Sequence, residues 1–489
     1  MPEAASDPSF PAQRGLCMDC GTNSFSAGKN AAGAVEIPPR PRVIVPGLSG
    51  EGFDEACAVL DACRLGPMPE KRLPFPSFSP GGYYHGDIWQ LDFSLALLGE
   101  RWLSEKSAEQ MFLNYESFQR EDGWIPLYSA SDRLPDAPHI SKQKVGVSSL
   151  PRIFATGTAL ARRSLSPEFT LRCRRILDSC FRWWVDRRFD REIGLFSAVF
   201  EETFPPWPGR AGEWFPSDLN VELACACERM AELAENSGRH EEYEFYTAFR
   251  RDLVRAVNRR LWDDGRCAFA AWNRPEKCFG ENIYVSTFAP LRGAVASAEH
   301  RSRLLALLLD ETRFNWGRCP LTSADRLSPC FTIVRGHYNG NPAWEGDVWL
   351  PPDEVAVRGL IDSGFPGPAA QLLWKSLSIF DRKFDEFLTP DSGEGQGAKQ
   401  YAWTAALWID LLLGTLFGIE IGTSEAGSTV EIKPLIPPEL EGKTAQLERL
   451  LLPDGRRLDV EISARATGCM IEAVCGGTVW RGVDHLVLS

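Results

Sequence analysis

The 489-residue sequence lacks three features that would direct it to a particular partner or compartment. It has no run approaching the ~20 uncharged apolar residues that a membrane-spanning helix requires. Its first residues show no basic stretch followed by an apolar one, so we expect no secretion signal and a cytoplasmic location. It also lacks an excess of positive charge, because its formal net charge is −13. We therefore expect neither a membrane nor a nucleic-acid partner.

Metal-ligand patterns are absent as well. Histidine is scarce, at 6 residues, and no spacing of histidine, cysteine and carboxylate residues is typical of a metal site. Many of the 14 cysteines lie within helical patterns, which favours buried thiols over disulfides in an unexported chain. One CxxC, at Cys17 and Cys20, has no second pair to complete a zinc site. We expect neither a metal nor another cofactor.

The sequence divides into three regions. Residues 1–75 are rich in Pro, Gly, Ala and Ser, which predicts an irregular N-terminal arm. From 76 to 420, apolar residues recur every three or four positions, which predicts amphipathic helices, including a hairpin of two helices interrupted at Ser237-Gly238. Residues 421–489 alternate apolar and polar and predict a small antiparallel β domain with a turn at Asp454-Gly455. Further helices are predicted over about 92–104, 107–119, 296–310, 353–363, 367–380 and 401–416, and one begins at Ser166-Pro167.

Long loops rich in Trp, Tyr, carboxylates and glycine separate the helices. Aromatic faces stack on the C–H surfaces of sugars, and carboxylates accept hydrogen bonds from hydroxyl groups. Paired carboxylates also carry out glycoside hydrolysis, in which one is protonated and the other ionised. These loops therefore predict a carbohydrate site. They cover residues 81–93, 120–128, 196–220 and 335–352, and a fifth begins at Asp385.

The fifth loop carries the most specific motif. A glutamate, Glu386, precedes a Gly-rich tract and the helix start Tyr401-Ala402-Trp403-Thr404. This order resembles the inverting (α/α)6-barrel glycosidases: trehalases, processing α-glucosidases of glycoside hydrolase family 63, and mannosylglycerate or glucosylglycerate hydrolases. The segments "DIWQLDF" (87–93), "EDGWIPLY" (121–128) and "WEGDVW" (344–349) are similar to further motifs of that family. The resemblance implies an all-α (α/α)6 toroid, here followed by the small β domain.

The resemblance also implies roles for individual residues. The family's general base maps to Glu386, and its general acid is an aspartate that the loop "FEETFPPW" (200–207) lacks. Glu202 is the first candidate for the acid, with Glu201 and Asp347 as alternatives. Glu345 stands where the family has an arginine. The expected substrate-binding residues are Trp89, Asp92, Trp124, His337, Tyr338, Trp344, Glu345, Trp349, Glu394, Gln396 and Trp403.

The resemblance thus implies an exo-acting glycoside hydrolase that inverts the anomeric centre. It would release a terminal α-glucosyl or α-mannosyl unit from a small glycoside or oligosaccharide. Because the usual aspartate and arginine are missing, two alternatives stay open: a toroid that binds sugars without cleaving them, and a polysaccharide lyase on the same scaffold. Only His337-Tyr338 beside Arg335 points toward a lyase.

Overall fold

The computed structural model of the chain describes residues 39–84, 86, 88–128, 146–199, 201–205, 210–333, 343–424 and 427–488. Within these ranges, every helix is too short or too polar to cross a membrane. The α-helices are α1 (Gly52–Cys63), α2 (Gln90–Leu103), α3 (Glu105–Phe112), α4 (Asn114–Phe118), α5 (Ile153–Arg163), α6 (Pro167–Arg188), α7 (Ser217–Asn236), α8 (His240–Arg260), α9 (Ala298–Leu309), α10 (Leu350–Asp362), α11 (Pro366–Phe380) and α12 (Ala402–Leu411). A kinked helical segment, Val285–Ala294, precedes α9, and a π-helical turn, Leu412–Leu416, extends α12.

Six helical segments pack against one another in a closed cycle. Along the cycle, α2 contacts α5, α5 contacts α7, α7 contacts the 285–294 segment, that segment contacts α10, α10 contacts α12, and α12 contacts α2. All residues of α12 are buried, as expected for a helix that is apolar on every side. Each inner segment has an outer partner: α3 on α2, α6 on α5, α8 on α7, α9 on the 285–294 segment, α11 on α10 and α1 on α12. Inner and outer segments therefore alternate along the chain, apart from the short α4 that follows α3.

Several predicted elements are confirmed. The helical hairpin is α7 followed by α8. Helix α6 begins at Pro167, and the side chain of Ser166 caps it by accepting the N–H of Phe169 at 3.2 Å. The predicted turn at Asp454-Gly455 joins two strands of the C-terminal region, and Gly455 has the positive φ of +86° that such a turn requires.

The C-terminal region forms two antiparallel sheets. One has five strands, four from this region and one, Arg42–Ile44, from the N-terminal part of the chain, and the other has three strands. Short two-residue strands pair within the loops of the helical region. The strands are β1 (Arg42–Ile44), β2 (Arg64–Leu65), β3 (Ser77–Phe78), β4 (Phe189–Asp190), β5 (Leu195–Phe196), β6 (Trp214–Phe215), β7 (Trp262–Asp263), β8 (Ala268–Phe269), β9 (Trp272–Asn273), β10 (Cys278–Phe279), β11 (Phe387–Leu388), β12 (Gly395–Gln396), β13 (Ile419–Ser424), β14 (Gly427–Ile432), β15 (Thr444–Leu451), β16 (Arg457–Ala464), β17 (Cys469–Cys475), β18 (Thr478–Val483) and β19 (Leu486–Leu488). The order of the five-stranded sheet is β1-β15-β16-β17-β18, and that of the three-stranded sheet is β13-β14-β19.

The prediction of an irregular arm over residues 1–75 was wrong for its described part. Strand β1 joins the C-terminal sheet, where Arg42 lies opposite Glu448 on β15. Helix α1 packs on α12 and buries Phe53, Cys57 and Leu60 at helical spacing. This region therefore contributes to the helical body and to the sheet.

Buried ion pairs connect the inner helices. Arg152, directly before α5, is 2% exposed and donates to Glu222 of α7 at 2.8 Å and to Glu354 of α10 at 2.7 Å. Arg358 continues the chain of contacts to Glu354 at 2.6 Å and to Asp410 of α12 at 2.6 Å. Burial opposes ionisation of Glu354, but Arg152 and Arg358 outweigh it and lower the pKa of that carboxyl below its usual value. The core therefore depends on matched charges as well as on apolar packing.

Candidate active site

A ladder of short extended segments fixes the backbone beside Glu386. Val348 and Leu388 exchange two backbone hydrogen bonds of 2.8 and 2.9 Å, and Thr322 pairs with Val348 on its other side. Leu388 lies in β11, which pairs with β12 so that Phe387 faces Gln396. The ladder thereby holds Glu386 close to the start of α10.

The carboxylate of Glu386 is held by the returning strand of the same hairpin. Its side chain is 4% exposed, and its Oε2 accepts the backbone N–H of Ala398 at 2.8 Å. Gly397, with φ of +69°, passes so close that a Cβ there would lie 2.5 Å from Oε2. Glycine is required at this position because any side chain would displace the carboxylate.

Asp92 and Tyr401 form a buried, hydrogen-bonded pair in the same region. Asp92 lies in the first turn of α2, and Tyr401 directly precedes α12. Burial, assisted by the negative charges of Glu386 and Glu201, raises the pKa of Asp92 to about 8. Burial, together with the charges of Asp92 and Glu386, also raises the pKa of Tyr401 well above its usual value. The three carboxyl groups of Asp92, Glu201 and Glu386 therefore lie near enough to interact.

Aromatic rings line this group of acids in a continuous belt. Trp344 stacks on Trp349 with ring centroids 4.1 Å apart and planes 4° from parallel. Trp349 in turn contacts Phe387 at 4.5 Å and Trp403 at 5.8 Å. From Trp403 the contacts continue through further rings on the loops before α12, α2 and α5. These rings are Tyr401, Tyr84, Trp89 and Tyr128, and Phe204 contacts Trp344 at the other end of the belt.

Several buried polar atoms in this region have no hydrogen-bond partner among the described residues. They include Oδ1 of Asp92 and the indole Nε1 of Trp403, beside Nε2 of Gln90 and the hydroxyl of Thr322. Buried polar groups in proteins are almost always satisfied, so an unsatisfied acceptor and an unsatisfied donor point to a ligand that supplies both. A polyhydroxylated molecule meets this requirement because each hydroxyl both donates and accepts.

Glu202 has a different environment from its neighbour. It is fully buried, and Nε and Nη2 of Arg188 donate to its two oxygens at 2.7 Å each. The backbone N–H groups of Ser148 and Val199 donate to the same oxygens at 3.0 and 3.1 Å. Both oxygens therefore act as acceptors toward two N–H donors each. These contacts disfavour the role of general acid that we predicted first for Glu202.

The remaining predicted residues are distributed around the site. The half-buried Trp124 donates from Nε1 to the carbonyl of Val147 at 3.3 Å. Asp347 is fully buried on the ladder, where its carbonyl accepts the N–H of Ser323 at 2.9 Å. The charge of Glu345 raises the pKa of Tyr284 and Cys330, after the larger effect of burial, so Glu345 lies beside these two residues.

The hairpin positions differ in exposure. Glu394 is exposed at the tip, whereas Gln396 is half-buried on β12. His337 and Tyr338 lie outside the described residues. No group of three or more His, Cys, Asp or Glu residues in the described ranges is placed to hold a metal ion.

Sequence reasoning did not assign a site role to Tyr401, Tyr84, Tyr128, Phe387 or Phe204. Phe387 directly follows Glu386, and Tyr401 begins the helix start that completes the same motif, so the motif could have indicated both residues. Asp218 is buried in the first turn of α7. Its carboxylate accepts the hydroxyl of Thr203 at 2.6 Å and the N–H of Phe204 at 2.7 Å. Asp218 thereby anchors the loop that follows Glu201 and Glu202.

Comparison with known proteins identifies relatives of this region. Residues 205–404 match the family described as mannosylglycerate hydrolase MGH1-like glycoside hydrolase domain. A mannosylglycerate hydrolase of Rubrobacter radiotolerans is 30% identical over 196 residues, which cover 39% of this chain and 42% of that protein. A mannosylglycerate hydrolase of Thermus thermophilus is 33% identical over 151 residues, covering 30% and 34%. The chain thus aligns with less than half the length of these curated relatives.

The fold extends beyond the aligned sequence. A crystal structure of a family 63 mannosylglycerate hydrolase from Thermus thermophilus, in complex with Tris and D-glycerate, superposes with a TM-score of 0.60 at 18% identity. The superposition covers 74% of this chain and 100% of that one. Residues 205–404 therefore carry a glycoside hydrolase domain related to the mannosylglycerate hydrolases, which confirms the resemblance predicted from the sequence.

Proposed function

We propose that this protein is an inverting glycoside hydrolase that releases a terminal α-glucosyl or α-mannosyl unit from a small glycoside. The observation that carries the proposal is the gathering of Asp92, Glu201 and Glu386 beside a belt of aromatic rings and two unsatisfied polar atoms. A sugar is complementary to this arrangement, because its C–H faces stack on the rings and its hydroxyls can satisfy Asp92 Oδ1 and Trp403 Nε1. In this proposal, the cycle of six inner and six outer helical segments is an (α/α)6 toroid, with the site where the inner segments begin.

Glu386 is the proposed general base. It would take a proton from the water that attacks the anomeric carbon, which requires an ionised carboxylate. Asp92 supports this assignment, because its raised pKa of about 8 keeps it neutral near pH 7 and so limits the negative charge around Glu386. Asp92 would also contact a sugar hydroxyl through Oδ1.

Glu201, rather than Glu202, is the proposed general acid. Its carboxyl group interacts electrostatically with Asp92. The carboxylate of Glu202 instead accepts four N–H groups, two of them from Arg188. Glu201 would protonate the departing oxygen. Inversion requires a separation of about 6.5–9.5 Å between acid and base, which leaves room for the attacking water.

The relatives support a small substrate. The curated relatives are named mannosylglycerate hydrolases, and the superposed crystal structure holds D-glycerate. A suitable panel is therefore mannosylglycerate, glucosylglycerate, trehalose and the p-nitrophenyl α-glucoside and α-mannoside. Proton NMR of the earliest product should show the β-anomer of the released sugar. Release of the α-anomer would reject the inverting mechanism.

Glu386→Gln tests the base directly. We expect turnover to fall on the order of 10²–10⁴-fold while sugar binding stays measurable by calorimetry. Asp385→Asn is the matched control, because the adjacent Asp385 is a half-buried carboxylate that pairs with Lys399 at 2.6 Å. Near-normal turnover in Glu386→Gln, or an equal loss in both variants, would remove Glu386 from the mechanism.

The two alternative functions have their own readouts on the same samples. A toroid that only binds sugars would bind panel members by calorimetry and cleave none of them. A polysaccharide lyase would generate an unsaturated uronate from polyuronate substrates. Either outcome would replace the hydrolase proposal.

A further inference from the structure

We propose that Glu202 is a positioning residue that sets Glu201 in place relative to Asp92. It would do so through its ion pair with Arg188 and a hydrogen-bonded chain that reaches helix α2. This inference rests on the proposed function, because it assigns Glu202 a task relative to Glu201 as the general acid.

The first part of the arrangement fixes the turn that carries Glu201. Arg188, at the end of α6, is itself largely buried and holds both oxygens of Glu202 in a two-pronged contact of 2.7 Å each. The N–H of Val199 donates to Glu202 Oε2 at 3.1 Å, and the N–H of Glu202 donates to the carbonyl of Val199 at 3.0 Å. The turn is therefore closed on itself and attached to α6 immediately beside Glu201.

The second part joins this turn to the helix that carries Asp92. The N–H of Ser148 donates to Glu202 Oε1 at 3.0 Å, and the Ser148 hydroxyl donates to the side-chain oxygen of Gln90 at 2.9 Å. The N–H of Ser149 donates to the same oxygen of Gln90 at 3.0 Å. Gln90 is the first residue of α2, two positions before Asp92. A continuous chain of contacts thus runs from Arg188 through Glu202, Ser148 and Gln90 to the turn of Asp92.

A third contact holds the backbone of Glu201 directly. The N–H of Leu150, in the same segment as Ser148, donates to the carbonyl of Glu201 at 3.2 Å. The segment 148–150 therefore bonds to both glutamates and to α2. Loss of the Glu202 contacts should let the acid move relative to the sugar, whereas Glu386 is held by a separate hairpin.

The leaving group distinguishes this role from a purely structural one. A glycoside with an alcohol leaving group needs a proton from the acid, whereas a glycosyl fluoride releases fluoride without one. Glu202→Gln should lower kcat on an alkyl glycoside on the order of 10–100-fold, because a displacement of about 1 Å costs on the order of 10²-fold. It should change kcat on the corresponding α-glycosyl fluoride by less than about 3-fold, since no positioned acid is required.

Further variants test the connection to Glu201. Glu201→Gln should show the same selectivity with a larger loss on the alkyl glycoside, on the order of 10²–10⁴-fold. The double variant, Glu201→Gln with Glu202→Gln, should have the same kcat on the alkyl glycoside as Glu201→Gln alone, because Glu202 then has no acid to position. Arg188→Lys keeps the charge and loses the two-pronged geometry, so it should resemble Glu202→Gln. Ser148→Ala keeps the backbone contact with Glu202 but loses the hydroxyl contact with Gln90. It should therefore cause a smaller loss of the same kind, and it replaces the ion-pair variants if they fail to fold.

Glu100→Gln is the matched control. Glu100 is 1% exposed, pairs with Arg64 at 2.8 Å and lies ten residues after Gln90 on α2, about 15 Å along the helix. Its loss should lower stability without any dependence on the leaving group. Equal losses on both substrates in Glu202→Gln, or additive losses in the double variant, would overturn the positioning role. A wild-type protein that cleaves neither substrate would instead overturn the proposed function.

Discussion

Gly397 allows a direct test of how the backbone holds Glu386. An added Cβ would lie 2.5 Å from Glu386 Oε2 and 2.6 Å from a ring carbon of Phe387, whereas ordinary contact begins at 3.4 Å. The carboxylate must therefore retreat by about 0.9 Å, the difference between 2.5 and 3.4 Å, and give up its 2.8 Å contact with Ala398. A displacement near 1 Å costs on the order of 10²-fold in rate. Gly397→Ala should thus lower kcat about 100-fold, measured on the best panel substrate.

Gly393 in the same hairpin is the matched control. Its φ is +68° against +69° for Gly397, but an added Cβ there would meet only the amine of Lys383, at 3.8 Å. Both alanine variants should lose about 1–2 kcal/mol of unfolding free energy in urea, because left-handed backbone is unfavourable for alanine. Gly397→Ala should lose more, because its Cβ also clashes with Glu386 and Phe387. Only Gly397→Ala should lose activity. Full activity in Gly397→Ala, or equal losses of kcat in both variants, would refute the reasoning.

Two further predictions concern stability. Folding raises the pKa of Asp92 from 3.8 to about 8, so the folded protein keeps a proton that the unfolded chain releases, and this contribution is lost as pH rises from about 4 to about 8. Asp92→Asn should remove this pH dependence, so the unfolding free energy of the variant should rise relative to that of wild type toward pH 8, by at most about 1.4 kcal/mol per pH unit. The prediction is contradicted if the urea midpoints of the two proteins differ by the same amount at pH 5 and at pH 8. Arg152→Met removes the ion pairs of Arg152 with the buried carboxylates of Glu222 and Glu354, at 2.8 and 2.7 Å. It should cost about 3–5 kcal/mol in urea unfolding at pH 7, and a loss below about 1 kcal/mol would argue against a strong pair.

The helices with clear periodicity and caps were predictable from the sequence. Helix α6 has both a capping serine and a proline in its first turn, and α7 and α8 are separated by a glycine. Helix α5 was missed, because its centre contains Thr156, Gly157 and Thr158, which favour helix weakly. Its inner face is buried against α2 and α7, so tertiary packing rather than local preference determines it.

The site was predictable where one motif carried it. Glu386, Tyr401 and Trp403 fall within a single stretch, so the sequence alone grouped them in one candidate site. Glu201 and Glu202, in contrast, are adjacent glutamates that the sequence alone does not distinguish. Only the packing of Arg188 against one of them separates an ion-paired carboxylate from a candidate acid. The hydrogen bond between Asp92 and Tyr401 joins distant parts of the chain and had no sequence signal.

The hairpin around Glu386 holds the glutamate at its base and forms a separate turn at its tip. Glu386 bonds to Ala398 at the base of the hairpin, and Val348 pairs with Leu388 two residues further along. The tip is closed by its own backbone contacts, from Thr389 to Glu394 at 2.9 Å and from Gly393 to Thr389 at 2.9 Å. Insertions at this tip can therefore lengthen the loop, in evolution or in directed engineering, while the carboxylate of Glu386 keeps its backbone contacts at the base.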